Sequence, residues 1–444
     1  MLRALVAIAV LGASARAGDA DGIEEARHVP REQHGGLDMG VGVVAGDEAV
    51  AESAATGEPT SAWAAWWSGE ALTGSWGGLR TRAEELGVAF EGSWTLDLSS
   101  VFHGGLRRRG VQRSFVDLGV RVDLERGVGW DGATLYADYQ VLTGANGSDD
   151  VGDIQGYSSI DGRDLAQLSE LWLEQRLFAG RLRIKVGKVD ANTEFAFAEN
   201  AAGFLGSSMG MSPTILLPTY PDPATSLNVF VAPCEGAYVG VGVYDGAAYR
   251  GVHTGSRGPA TFFDDLAELF TVGEVGVRWG EGYAGRLGVG GWYQDGAFDV
   301  ADAAGAVRHQ RGTAGVYLVL DQAVWRVSDA ADDERGLDAF LMWGWTEPEV
   351  AEIEHHVGGG LAWLGPLAAR AQDELGLGVS WVGAGDALDP EIRRDHELAI
   401  ETYYAAAASG WLVVQPDLQW IVSPLGASAA RDAWVGSLRF TTTL

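Results

Sequence analysis

Val116-Asp117-Leu118-Gly119-Val120-Arg121-Val122-Asp123-Leu124-Glu125 alternates apolar and polar residues without a break over ten positions. Successive side chains of a strand point to opposite faces, so the segment reads as a strand with one apolar and one polar face. Similar segments recur at 170–177, 181–186, 273–279, 286–293 and 434–444. Continued along the chain, the pattern yields sixteen candidate strands between 88 and 443. Gly, at 64 of 444 residues, is about twice its usual ~7% share. That surplus suits strands and tight turns and works against long helices.

A soluble sandwich and a membrane barrel both produce alternation. Two features favour the barrel. Many candidate strands reach the ~9–11 residues that a tilted membrane strand needs, against ~5–6 in globular sheets. Connections also alternate long and short: 99–113, 143–166, 191–225, 245–271, 294–310 and 383–395 are long, whereas 126–131, 179–180, 233–235, 281–283 and 405–410 are short. Long loops at one end and tight turns at the other mark outer-membrane barrels. An even strand count then puts both ends of the strand series on the short-turn, periplasmic side, with 143–166 outside the cell. Trp94, Trp130, Trp172, Trp279, Trp411, Trp420 and Trp434 are expected in the interfacial girdles. Pro416 falls inside a strand and predicts a bulge there. The expected fold is all-β, a transmembrane antiparallel barrel of about sixteen strands, wide enough to enclose an aqueous channel.

The segments ahead of the barrel read differently. Residues 1–17 form a secretory signal, with Arg3, an apolar run over 4–13 and an Ala15-Arg16-Ala17 cleavage pattern. Residues 18–60 read as a flexible acidic spacer, 61–87 as a periplasmic segment with a short helix over 79–86, and 88–444 as the barrel. A formal net charge of −30 speaks against nucleic-acid binding. The single Cys234 excludes an internal disulfide framework and any Cys-rich metal site.

Several motifs resemble those of the carbohydrate-selective porin family, often called OprB. They are Leu72-Thr-Gly-Ser-Trp-Gly-Gly-Leu-Arg-Thr-Arg82, Val186-Gly-Lys-Val-Asp-Ala-Asn192 with Glu194-Phe195-Ala196, Phe204-Leu-Gly-Ser-Ser-Met-Gly210, Pro218-Thr-Tyr-Pro221, Leu320-Asp-Gln-Ala-Val-Trp-Arg326 and Gln415-Pro-Asp-Leu-Gln-Trp-Ile421. They run in the family's order from about residue 72 to 444. The resemblance implies an outer-membrane porin of Gram-negative type that lets neutral mono- or small oligosaccharides diffuse passively into the periplasm. It implies no enzyme activity, no cofactor and no metal, outer-membrane lipid around the barrel, and either a monomer or a homotrimer. The alternatives are a general or other-solute porin and, from other classes, a barrel-borne hydrolase or a structural barrel.

Alternation also assigns the channel wall. Asp117, Arg121, Asp123 and Glu125 point inward from one strand, and Glu170, Trp172, Glu174 and Arg176 from another. Arg183 and Lys185 follow, while the face of Lys188 and Asp190 depends on a bulge. Glu274, Arg278, Arg286, Trp292, Glu401, Gln415, Asp417, Gln419 and Arg439 fall on the same side by the same rule. The candidate sugar contacts are Arg121, Glu170, Trp172, Glu174, Arg176, Arg183, Lys185, Lys188, Asp190 and Glu401, with Trp172 or an aromatic of the 191–225 connection as a stacking surface. The 191–225 connection carries Phe195, Phe197, Phe204, Leu205, Ile215, Leu216 and Leu217, too apolar for water, and is expected to fold into the lumen. Gly206-Ser-Ser208-Met-Gly210 matches a nucleophile elbow but lacks the strand–turn–helix setting. His355 and His356 face opposite sides, and Ser148-Asp149-Asp150-Val-Gly-Asp153 reads as a solvated loop.

Overall fold

The computed structural model describes residues 61–444 except 263–267, 281–283, 302–306, 329 and 331–332. The expectations for 1–17 and 18–60 lie outside the described residues. Two short helices, α1 (Ala62–Trp67) and α2 (Leu79–Glu85), precede the strands. Gly87, at φ 83°, ends α2 where the sequence places its stop. The first eight strands are β1 (Val88–His103), β2 (Gly110–Asp123), β3 (Ala133–Gly144), β4 (Leu165–Leu177), β5 (Leu182–Val189), β6 (Ala224–Cys234), β7 (Ala237–Asp245) and β8 (Leu269–Trp279). The second eight are β9 (Gly285–Ala301), β10 (Val307–Arg326), β11 (Gly336–Thr346), β12 (Ile353–Leu364), β13 (Glu374–Ala384), β14 (His396–Ser409), β15 (Leu412–Val422) and β16 (Ala433–Thr443).

Each strand pairs antiparallel with its sequence neighbours, and β1 closes on β16 with Leu96 opposite Phe440 and Asp97 opposite Arg439. The residues before β1 brace this seam. Leu72 N–H donates to the Thr443 carbonyl at 2.8 Å, and the Arg80 guanidinium spans the carbonyls of Leu444 and Phe90 at 2.9 and 2.7 Å. Burial is inverted relative to a soluble protein. Val275, Val277 and Val289 stand exposed on the outside, while Asp97, Glu274 and Arg286 are buried inside. Such a barrel is built to present its apolar face to lipid.

Four local expectations are corrected. Asp123 is the last residue of β2, opposite Thr134, and its side chain caps a turn helix, α3 (Leu124–Val128), accepting from Glu125 N and Arg126 N, so Glu125 lies exposed on that turn. An Asp N-cap followed by a first-turn Glu imitates two more steps of alternation. Pro416 makes no bulge. It sits in register opposite Leu438, and only the β14 ladder lapses between Tyr403–Asp417 and Ala406–Val414. The supposed long loops at 99–113 and 294–310 are largely strand, because the β1–β2 and β9–β10 hairpins run well past the alternating stretch. Strand beyond the bilayer needs no apolar face, so the period fades there. Finally, Trp94, Trp130, Trp279 and Trp420 are exposed as girdle residues should be, but Trp172 and Trp411 are buried at 5% and 7%.

Candidate functional site in the channel interior

Two connections turn inward. The 190–223 segment leaves β5 and is pinched at its neck by Asp190. This carboxylate accepts from Asn192 N at 2.8 Å, Thr219 Oγ1 at 2.6 Å and Tyr220 N at 2.8 Å. Burial pushes the Asp190 carboxyl up even so. The segment then crosses the barrel. Ala196 N donates to Glu274 of β8, Asn200 N to Asp321 of β10, and Leu205 N and Gly206 N to Glu401 of β14 at 2.5 and 3.0 Å. Gln415 of β15 donates to the Gly203 carbonyl at 2.7 Å. Phe195, Ile215 and Leu217 pack against Phe270, Trp292 and Tyr317 of the wall, and Phe204 and Met209 against Phe340 and Tyr403.

The 145–164 connection also folds against the inner wall, which overturns the expectation that Ser148–Asp153 forms a solvated loop. Ile154 N and Gln155 N donate to Glu397, Gln419 donates to the Tyr157 carbonyl, and Asp161 pairs with Arg113. Gly147 is packed against the Tyr157 hydroxyl, and Asp150 is bound to Arg107 at 2.7 Å.

The wall beneath the crossing segment carries compensated charge. Glu174 lies 3.0 Å from Arg183, 2.9 Å from Arg176 and 3.6 Å from Lys185. Glu194, from the segment itself, lies 2.6 Å from Arg183 and 2.5 Å from Lys185. Burial alone would raise the Glu194 carboxyl, but Lys185 and then Arg183 outweigh it and hold the group at about 2. Further round, Arg286 reaches Glu274 at 2.9 Å while Arg278 reaches Glu199 at 2.6 Å. Neither Glu194 nor Glu199 is identifiable from alternation. The readable signal is a carboxylate within an apolar segment that folds inward, which demands a cation opposite.

The structure places the ten candidate contacts unevenly. Arg121, Arg176 and Arg183 are half-buried on the inner wall. Arg121 is 3.0 Å from Glu91, and its guanidinium lies 4.9 Å from the Tyr136 ring and 5.7 Å from Trp172. Trp172 is enclosed, with Lys185 Nζ 3.9 Å above its ring and Tyr136 5.0 Å away, so its face is not open for stacking. Glu170 is buried and accepts from Asp190 N at 3.0 Å, while Glu401 holds the crossing segment. The β5 ladder runs without a bulge. Lys188, opposite Leu171, is buried with its ammonium on the Leu168 and Gly255 carbonyls.

Among the described residues the Gly206–Gly210 elbow and His356 do not come together as a reaction centre. Ser208 is buried and donates to the Gln155 carbonyl, and His356 sits 3.0 Å from Ser380, with no acid–base–nucleophile relay. Among the described residues no group of three His, Cys, Asp or Glu is placed to hold a metal ion. The arrangement offers hydrogen-bond donors and acceptors along a passage, which serves transit.

Comparison with known proteins agrees. Residues 114–444 match the model of the family described as carbohydrate-selective porin, OprB family. Porin B of Pseudomonas aeruginosa is 26% identical over 442 residues, covering 88% of this chain and 93% of that protein. The high-pH structure of Pseudomonas putida OprB superposes with a TM-score of 0.73 at 22% identity, over 85% of this chain and 99% of that one. Its low-pH structure gives 0.58 at 19% identity, over 84% and 98%.

Proposed function

This chain belongs to the OprB carbohydrate-selective porin family, and on that footing we propose that its outer-membrane barrel selects sugars where 190–223 crosses beside Arg121, Arg176 and Arg183. The observation that carries this reading is the pairing of half-buried guanidiniums with carboxylates: Arg121 with Glu91, and Arg176 and Arg183 with Glu174. Arg121 and Glu91 form a neutral pair, and Arg176, Arg183 and Lys185 set against Glu174 and Glu194 leave one positive charge in excess, so sugar hydroxyls meet donors and acceptors at low net charge. A neutral polyol therefore gains hydrogen bonds there, and a small ion gains little. Glu170, Asp190 and Glu401 act by fixing the segment, and Lys188 by holding the Leu168 and Gly255 carbonyls, not by touching sugar. The half-buried Tyr136 ring, not Trp172, is the aromatic within reach of the passage. In this reading residues 1–17 direct export, and 18–60 form a periplasmic spacer.

Liposome swelling with a series of neutral sugars, a charged sugar acid and a size-matched non-sugar polyol tests the proposal. Neutral mono- and small oligosaccharides should enter faster than the size-matched controls, and Arg183→Ala and Arg121→Ala should reduce that preference without unfolding the barrel. Uptake that follows size alone, unchanged in both variants, would show a general diffusion pore.

A further inference from the structure

Only 31 of the residues in this acidic chain are Lys or Arg, yet Arg107, Arg108 and Arg109 stand in a row between β1 and β2. The fold brings that row to two other connections at the same end of the barrel, β13–β14 and β15–β16, away from α1 and α2. His103, Arg108, Arg394, Arg431 and Asp432 line a cavity there of about 380 Å³.

The cations have different employment. Arg107 is taken by Asp150. Arg394 donates to the carbonyls of Pro424 and Ala427 at 2.7 and 3.1 Å, and to that of Ala430. It thereby sets the backbone that carries Arg431 and Asp432. The Arg108 and Arg431 side chains make no hydrogen bond or ion pair among the described residues. Three guanidiniums and an imidazole thus share one concavity with a single carboxylate, itself accepting from Ser423 N at 2.9 Å. Guanidiniums so gathered suit an oxyanion with several acceptor oxygens, phosphate above carboxylate. A bare phosphate would gain nothing from Asp432, whereas a hydroxyl beside the phosphate would donate to it.

We propose that this cavity binds a phosphorylated sugar, its phosphate on Arg108 and Arg431 and a neighbouring hydroxyl on Asp432. The same chemistry is available from a soluble sugar phosphate and from the phosphorylated saccharide headgroup of an outer-leaflet glycolipid. The site is separate from the narrow zone, and its test does not depend on transport.

The purified barrel and Arg108→Gln/Arg431→Gln are titrated calorimetrically with inorganic phosphate, glucose 6-phosphate, lipopolysaccharide and dephosphorylated lipopolysaccharide. Barrel formation is verified by heat-modifiable mobility. Phosphorylated sugar probes should bind the parent protein more tightly than inorganic phosphate does, and the double variant about tenfold more weakly. Binding of lipopolysaccharide but not glucose 6-phosphate assigns the glycolipid source, and the reverse assigns the soluble one. Should the double variant not form a barrel, Arg431→Gln and Arg431→Lys carry the comparison, with loss in the first and retention in the second. Absence of binding by every phosphorylated probe, or equal binding by parent and variants, overturns the proposal.

Discussion

The Glu194 carboxylate lies 2.5 Å from the Lys185 ammonium, although one belongs to the segment that crosses the lumen and the other to the wall it leaves. Arg183 completes the contact at 2.6 Å, so two cations of β5 hold the start of the crossing in place. Removing one partner of a buried pair costs ~3–5 kcal/mol, and the lower end applies here because Glu174 stays within reach of both cations. Glu194→Ala should therefore lower the urea midpoint of the detergent-folded barrel and raise single-channel conductance. Conductance identical to that of the parent would show that 190–223 does not set the narrowest point.

The same carboxylate sets an acid limit. Its pKa of about 2 lies below the ordinary 4.5, so folding favours the ionised form. The stabilisation is complete above 4.5 and is lost as pH falls from there through 2. Conductance should stay level from neutral pH to about 4.5 and climb only below it. Glu194→Gln, with no charge to lose, should remove that climb. A rise already complete at pH 6 would assign the response to another group.

How far these features were readable from sequence depends on range. Alternation assigns Glu170, Trp172 and Glu174 inward because it is a property of neighbouring residues, and the fold buries all three. The enclosure of Trp172 was not readable, since Tyr136 comes from β3 and Lys185 from β5. The 145–164 connection misled for the same reason. Its Asp150 looks solvated until Arg107 is set beside it, and Ile154 N meets Glu397 across 243 positions. Polar composition is compatible with burial once every group has a partner, and those partners lie far off in sequence.

The lipid face makes a separate prediction. Val275 is 58% exposed on the outside of β8, while Arg278 on the same strand is paired with Glu199 inside. Val275→Arg should cost ~2–4 kcal/mol if the site lies near the bilayer midplane, less toward either interface. The conservative Val275→Leu should cost nearly nothing in the same refolding titration into lipid vesicles. Equal effects of the two substitutions would mean that this face is not in hydrocarbon.

Orientation can be tested with the protein's own chemistry, because Cys234 is its single cysteine and is exposed. It closes β6, and the β6–β7 turn passes through Gly236 at φ 73°. Connections from an even strand to the next odd one all lie at one end of the barrel. That end also carries α2, whose Arg80 holds the Leu444 carbonyl beyond β16. If this is the periplasmic end, a maleimide on a polymer too large for the channel will leave Cys234 unmodified in intact cells. Permeabilising the outer membrane should then give complete labelling, read as a mass shift on a gel. Cys234→Ser controls for modification elsewhere, and its small exposed change should leave folding intact. Labelling of Cys234 in intact cells would invert the barrel, placing the arginine-lined cavity in the periplasm and the short turns outside.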